Sequence, residues 1–189
     1  MNSFDRARLV EAETLDLVLP FIEAKAMDGR YVVTDKGRLA RTLQATVGDA
    51  LFNDLNGRIV GVEIKGEQSE RSGNLFLETW SNRARFTRGW LYSLQTDLLF
   101  YGFLDTRHLY VVSFRKLREW CFCHPGARGD EFPGRIWDFK EKRQGRYEQQ
   151  NDTWGRCVPL EVLQREVGIR RYFLPPRESS DPRSIGVGR

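Results

Sequence analysis

The chain is poor in the features that mark membrane, secreted and disordered proteins. No apolar run approaches the ~20 residues that a bilayer-spanning helix needs, so no transmembrane segment and no membrane partner are expected. Cysteine occurs only three times in 189 residues, too few for the disulfide framework of a small secreted domain. No low-complexity block precedes the C-terminal tail, and aromatic residues make up 12% of the chain, which excludes general disorder. No internal repeat is present. The opening residues Met1 to Arg6 run straight into an acidic, helix-like stretch and do not read as a secretory signal. A soluble, cytoplasmic, globular protein is expected, with a single domain over residues 1–174 and a disordered tail over 175–189.

Against that background, charge is abundant but unevenly placed. Residues 1–114 carry 14 Lys/Arg and 15 Asp/Glu, a net of −1, and residues 115–189 carry 16 and 11, a net of +5. The whole formal charge of +4 therefore resides in the C-terminal part. A basic region beside a neutral one suits a phosphate-rich partner; a solvated surface built with Arg would look the same by charge alone.

Hydrophobic periodicity lays out the elements. Residues 4–27 carry Val10, Leu15, Val18, Leu19 and Ile22 near helical spacing, with Pro20 making this either one kinked helix or two short ones. Tyr31 to Thr34 reads as a short strand, and residues 38–47 fit either a helix or an extended segment. Two β-rich runs flank Asn56-Gly57 and read as a hairpin. Strands are expected at Asn74–Trp80, Leu98–Leu104 and His108–Phe114, with a short helix over 88–96 and another from Arg115 to Cys121. From about residue 115 onward, and above all over 126–153, the chain is Gly-rich and charged and reads as loops and short strands, before a last helix opening at Val158. The expected class is mixed α/β (α+β), a central mixed sheet flanked by helices.

The hairpin carries the chemistry. Glu63 and Lys65 are two apart on a strand and share a face. A three-residue loop of Leu55, Asn56 and Gly57 pairs Asp54 with Arg58 and sets Asp49 directly opposite Glu63, roughly 5 Å away between β-carbons. A two-residue Asn-Gly turn would shift every partner by one and turn Asp49 to the other face. The three-residue loop also pairs Phe52 with Val60 and Ala50 with Val62 on one apolar face, which favours it independently. Facing carboxylates repel on a plain sheet, but they suit a divalent cation such as Mg²⁺, which takes carboxylate, water and phosphate oxygens. The backbone carbonyl of Ile64 lies between the two side chains as a further possible ligand. Lys65 beside a cation could orient or deprotonate a water, or neutralise charge developing on phosphorus. The plain alternative makes Glu63 and Lys65 an exposed edge pair of little consequence.

Asp49, thirteen intervening residues, then Glu63-Ile64-Lys65 on a hydrophobic strand resembles the PD-(D/E)XK nuclease superfamily. The motif spans residues 49–65, and the hairpin with the strands that follow extends the likeness over about 40–115. Gly48 stands where the family's name has Pro. The resemblance implies a restriction-endonuclease-like fold and Mg²⁺- or Mn²⁺-dependent hydrolysis of DNA. It makes Asp49 and Glu63 metal ligands and Lys65 the catalytic lysine; a homodimer is also in keeping with it. Many members add a Glu from the first helix, for which Glu11, Glu13 and Glu23 are candidates and Glu11 is preferred. The stretch Gly73–Asn82 looks like one that follows the motif in some phage and bacterial members. Two binding-only alternatives stand beside the nuclease: an inactive nucleic-acid-binding module on the same fold, and a protein-interaction factor.

Other residues bear on the same site. Glu67, Glu70 and Glu78 lie just beyond the motif; Glu78 either extends the metal site or faces solvent. Gln44 is a candidate contact to the scissile phosphate. Arg83, Arg85 and Arg88, and then Lys140, Lys142, Arg143 and Arg146 interleaved with Trp137, Phe139 and Tyr147, suit a groove that tracks a nucleic-acid backbone while bases stack. Cys121, Cys123, His124 and Cys157 are a zinc alternative at odds with the usual finger and ribbon spacing, buried thiols being the commoner outcome. His108 opens a strand and reads as structural.

Overall fold

In a computed structural model, the chain is described over residues 3–34, 40–125, 134–144 and 152–174. The expected tail at 175–189, Arg146 and Tyr147 lie outside the described residues. The elements run α1 (Ser3–Glu23), β1 (Tyr31–Val33), α2 (Ala40–Val47), β2 (Ala50–Asn53), β3 (Ile59–Glu67), β4 (Asn74–Asn82), β5 (Thr87–Arg88), α3 (Trp90–Ser93), β6 (Leu98–Phe103), β7 (His108–Ser113), α4 (Phe114–Cys123), a 3₁₀ turn (Arg135–Asp138), β8 (Glu141–Arg143), β9 (Trp154–Pro159), α5 (Leu160–Glu166) and β10 (Arg170–Phe173). The class is mixed α+β, as expected. The strands form two sheets: six strands in the order β1-β2-β3-β6-β7-β10, and four in the order β5-β4-β9-β8. In the larger sheet β3 and β6 are parallel, and the other pairs are antiparallel.

Period-two alternation divides the larger sheet into two buried faces. Val60, Val62 and Ile64 of β3, with Ala50, Phe52 and Phe100, pack under Val18 and Ile22 of α1; each fully buried aliphatic side chain contributes about 1.5–3 kcal/mol. The intervening residues Leu99, Tyr101 and Phe103 of β6, with Tyr110 and Val112 of β7, face the other way. They meet Leu75 and Leu77 of β4, Val158 of β9 and Leu117 and Trp120 of α4. Glu63 and Lys65 belong to this second face by register, since β3 pairs them with Leu99 and Tyr101.

Several expectations are refined by these boundaries. α1 is a single helix with Pro20 inside its last turn, where the ring withholds the amide that would bond four residues back without ending the helix there. Residues 40–47 are helical. The expected helix over 88–96 shrinks to Trp90–Ser93, with Thr87 and Arg88 paired to β4 instead. The last helix opens at Leu160, not Val158: Val158 and Pro159 close β9, paired with Leu75 and Asn74.

Candidate active site

The loop of the β2–β3 hairpin is the three-residue one. The Asp54 amide donates to the Arg58 carbonyl at 2.9 Å, Gly57 sits at φ +75°, and the register is Ala50↔Val62 and Phe52↔Val60. Asp54 also accepts the amides of Asn56 and Arg58 through Oδ1, at 2.9 and 3.0 Å, which stiffens the turn. β2 covers only the first four residues of β3, ending at Val62. Beyond that point the side chain of Asp49 takes over from the ladder: its Oδ2 accepts the Ile64 amide at 2.8 Å.

Asp49 is aimed by backbone contacts made just before it. Gly48 follows α2 at φ +94°, an angle that proline's ring forbids, so this backbone does not accept the Pro of the resembled motif. A β-carbon on Gly48 would lie 2.4 Å from the Val62 carbonyl oxygen and 2.8 Å from the Glu63 nitrogen. The buried Thr34 hydroxyl donates to the Gly48 carbonyl at 2.6 Å, and the Thr34 amide to the Asp49 carbonyl at 2.9 Å. The Asp49 amide in turn donates to Val62 at 2.7 Å.

Glu63 is buried, and its Oε1 lies 2.5 Å from Nζ of the half-buried Lys65. The two therefore share a face, as the spacing predicts. Burial pushes the Glu63 carboxyl above its ordinary range, and Asp49 and Glu11 push the same way against the opposing pull of Lys65. For Lys65 burial works against the charged form, but Glu63, Asp49 and Glu11 together outweigh it and hold the ammonium above its usual value.

A cleft of about 660 Å³ opens over these groups. Its wall takes Glu11 from α1, Gln44 from α2, and Asp49, Glu63, Ile64 and Lys65 from the hairpin. Five separately argued candidates thus meet with Ile64 in one place, and Glu11 is the helix carboxylate that reaches it; Glu13 and Glu23 are exposed and line no part of it. Glu11 and Lys65 also line an adjoining cleft of about 730 Å³ together with Glu67, Asn74, Glu78 and Tyr101. Glu78 accordingly faces the site side of β4, accepts the Trp90 amide at 3.2 Å, and is raised by burial while Lys65 pulls it down. Glu67 and Tyr101 were not assigned to the site from sequence. They hydrogen-bond to one another, the Tyr101 hydroxyl donating. The available signal was the strand period, which places Glu67 on the face of Glu63 and Lys65.

Glu70 belongs elsewhere. It accepts the hydroxyls of Tyr110 and of Thr106, the latter at 2.7 Å, and lies 2.5 Å from His108 Nδ1. His108 is structural in that sense. Cys121 is buried in the core, where burial pushes its thiol up; Cys123 is exposed and Cys157 lines the second cleft. Among the described residues no three Asp, Glu, His or Cys side chains form a metal-holding group, at the zinc candidates or at the cleft. What the cleft offers a cation is two opposed carboxylates with further oxygen donors nearby. That fits Mg²⁺, which keeps several waters and binds through one or two carboxylates plus substrate phosphate, and does not fit a closed protein cage.

The basic candidates collect on the four-stranded sheet. Arg83, Arg85 and Arg88 lie on and beside the β4–β5 turn, and Lys140, Lys142 and Arg143 on and beside β8. Arg83 pairs with Glu141 at 2.8 Å and stacks over Trp154, Arg88 lies over Tyr92, and Arg143 pairs with Asp152 at 3.1 Å. The aromatic part of the expectation needs correction: Trp137 and Phe139 pack against the hydrophobic core instead of offering their faces to bases. Compared with known proteins, the chain matches no family model, no curated protein and no solved structure. No helix among the described residues is long and apolar enough to cross a membrane.

Proposed function

We propose that this protein is a divalent-metal-dependent deoxyribonuclease of the PD-(D/E)XK type, on a restriction-endonuclease-like fold. The observation that carries the reading is the convergence of Asp49, Glu63 and Lys65 at the point where β2 stops covering β3, with Asp49 fixed by the Ile64 amide and Lys65 held against Glu63. Asp49 and Glu63 would hold Mg²⁺ or Mn²⁺, with the Ile64 carbonyl as a further candidate ligand. A bound cation of that kind supplies Lewis-acid charge and lowers the pKa of its water.

The chain's own groups do the rest of the work. Water oxygen bonds to phosphorus as the bond to the departing oxygen breaks, leaving a phosphate monoester and a hydroxyl from one water consumed. Lys65, held as an ammonium by its carboxylate neighbours, places positive charge beside the phosphoryl oxygens as negative charge builds there. Gln44 on the cleft wall can donate an amide N–H to a phosphate oxygen. The exposed Arg and Lys of the four-stranded sheet give DNA a basic surface to follow. Free thiols at Cys121, Cys123 and Cys157 support a reducing, cytoplasmic setting.

The test is cleavage of labelled single-stranded, duplex and branched DNA with Mg²⁺, Mn²⁺ or EDTA, wild type beside Lys65→Ala. Metal-dependent cutting that falls at least about a hundredfold in the variant is expected; full activity in Lys65→Ala overturns the mechanism. Salt-sensitive DNA binding by both proteins without cutting by either would establish the inactive-module alternative.

A further inference from the structure

Phe86 puts a large apolar ring at the exposed end of the β4–β5 turn. It is 83% exposed and sits at φ +55°, the left-handed region that a side chain with a β-carbon rarely adopts. A hydrophobic ring is thus held away from the core, in a conformation that glycine would take without strain. The turn that presents it is closely tied. The Arg83 and Ala84 amides donate to Asp152, through its carbonyl at 2.9 Å and Oδ2 at 3.1 Å. The Arg85 amide donates to Asn82 Oδ1 at 2.9 Å and the Phe86 amide to the Arg83 carbonyl at 3.1 Å. Four consecutive amides are engaged, so the tip is built, and Asp152 is itself anchored by the Trp154 indole and Arg143.

The surroundings define what the ring meets. Arg83, Arg85 and Arg88 flank it and are all exposed. Arg83 and Arg88 are already spread over Trp154 and Tyr92, and Arg85 pairs with no carboxylate among the described residues. An aromatic face bracketed by guanidinium groups complements a base between two phosphates. The turn also lies on the strand that carries Glu78 into the cleft. Asn82 is four residues farther along β4, roughly 13 Å at strand rise and about four nucleotide steps of B-form DNA.

We infer that Phe86 is a stacking contact for an unpaired DNA base, with Arg85 and Arg88 on the neighbouring phosphates, so that the protein selects DNA in which a duplex gives way to single strand. This rests on the deoxyribonuclease reading for the nature of the partner. The experiment measures binding with metal chelated by EDTA, so that cleavage plays no part. Anisotropy of labelled single-stranded, blunt-duplex and overhang DNA is recorded for wild type, Phe86→Gly, Phe86→Trp and Arg85→Ala. Phe86→Gly relieves the φ strain, so it folds at least as well as wild type. It is expected to lose about tenfold in affinity for overhang and single-stranded DNA, with little change on blunt duplex. Its salt dependence should stay that of wild type, whereas Arg85→Ala should lower the salt slope by about one. Phe86→Trp should retain binding.

Phe86→Gly binding overhang DNA within about twofold of wild type overturns the inference. So does a wild type that prefers blunt duplex, or one in which Phe86→Gly alters self-association instead of DNA affinity. A wild type that binds with Phe86 dependence yet never cuts supports the stacking role while overturning the nuclease reading. Cutting by wild type with no effect of Phe86→Gly on binding does the reverse. Failure to bind any DNA overturns both.

Discussion

Glu63 and Glu70 lie on one stretch of chain and are held in opposite ways. Glu63 is sequestered opposite Asp49 with a single ammonium for company, and burial drives its carboxyl up. Glu70 is also drawn upward by burial, but the Tyr110 and Thr106 hydroxyls and His108 more than reverse this and hold it below the ordinary carboxylate range. Tyr110 is raised in step, to about 12, by burial and by its bond to Glu70. One glutamate closes a network in which its oxygens are satisfied; the other stands between an acidic neighbour and the Lys65 ammonium. The difference separates a carboxylate satisfied by hydrogen bonds from one at odds with its surroundings, and the proposed site rests on the second.

Exchange of each for its amide is the sharpest way to break that comparison. Glu63→Gln should cut metal-dependent cleavage by at least about a hundredfold. Its stability should change little, because Lys65 is only half-buried and keeps Asp49 and Glu11 beside it, so no fully buried charge is left unpaired. Kinetics and chemical denaturation on the same preparation check both halves. A large loss of stability would place Glu63 with Glu70 as a structural group.

Gly48→Ala comes next in size and tests how the opposed carboxylates are created. The methyl group meets the Val62 carbonyl at 2.4 Å and the backbone at φ +94° is strained as well. A loss of about 3 kcal/mol in urea unfolding is expected, with cleavage lost in whatever fraction stays folded. Gly48→Pro should be worse, although the family's name carries proline there.

Glu70→Gln should cost about 1–3 kcal/mol, since an amide NH₂ would face one of three donors. Cleavage by the folded protein should be unaltered. The smallest effect is in acid. A carboxylate whose folded pKa is depressed contributes stability above its unfolded pKa of about 4.3 and loses it as pH falls toward the folded value. Wild type should therefore lose stability below about pH 4.5, and the slope should be shallower in Glu70→Gln, as followed by melting temperature against pH. Parallel slopes would remove Glu70 from the account of acid sensitivity.

Much of the site was legible because it is local. The loop length fixes the register, the register turns Asp49 toward Glu63, and strand alternation places Lys65 beside it. None of these needs tertiary information. What the sequence concealed was built from distant pairings. β9 contains Gly155, Arg156 and Cys157 between its ends and ends in Pro159, so it lacks the alternation of a recognisable strand. It exists because β4 supplies its partner from Asn74 to Trp80. β10 reads Arg-Arg-Tyr-Phe and is an edge strand, where charge is usual and apolar periodicity fades. The second sheet was missed because β9 was, and with it the cleft wall that brings Glu78 toward Lys65. Trp137 and Phe139 misled in the opposite direction: aromatic residues between basic ones read as a stacking surface, yet the 3₁₀ turn that carries Trp137 packs on α4 and draws both rings inward.

The parallel pairing of β3 with β6 also sets a timetable. The β2–β3 hairpin closes over a three-residue loop, one of the quickest contacts a chain can make. The second neighbour of Glu63 is Leu99, and all of β4, β5 and α3 is synthesised in between. A ribosome therefore releases the facing carboxylates into water well before the strand that buries them exists. Their mutual repulsion is weak there, screened by solvent and salt. It becomes costly only when β6 docks and the sheet closes. Desolvation of these carboxylates thus depends on the pairing of β3 with β6, a long-range contact of the kind that forms late.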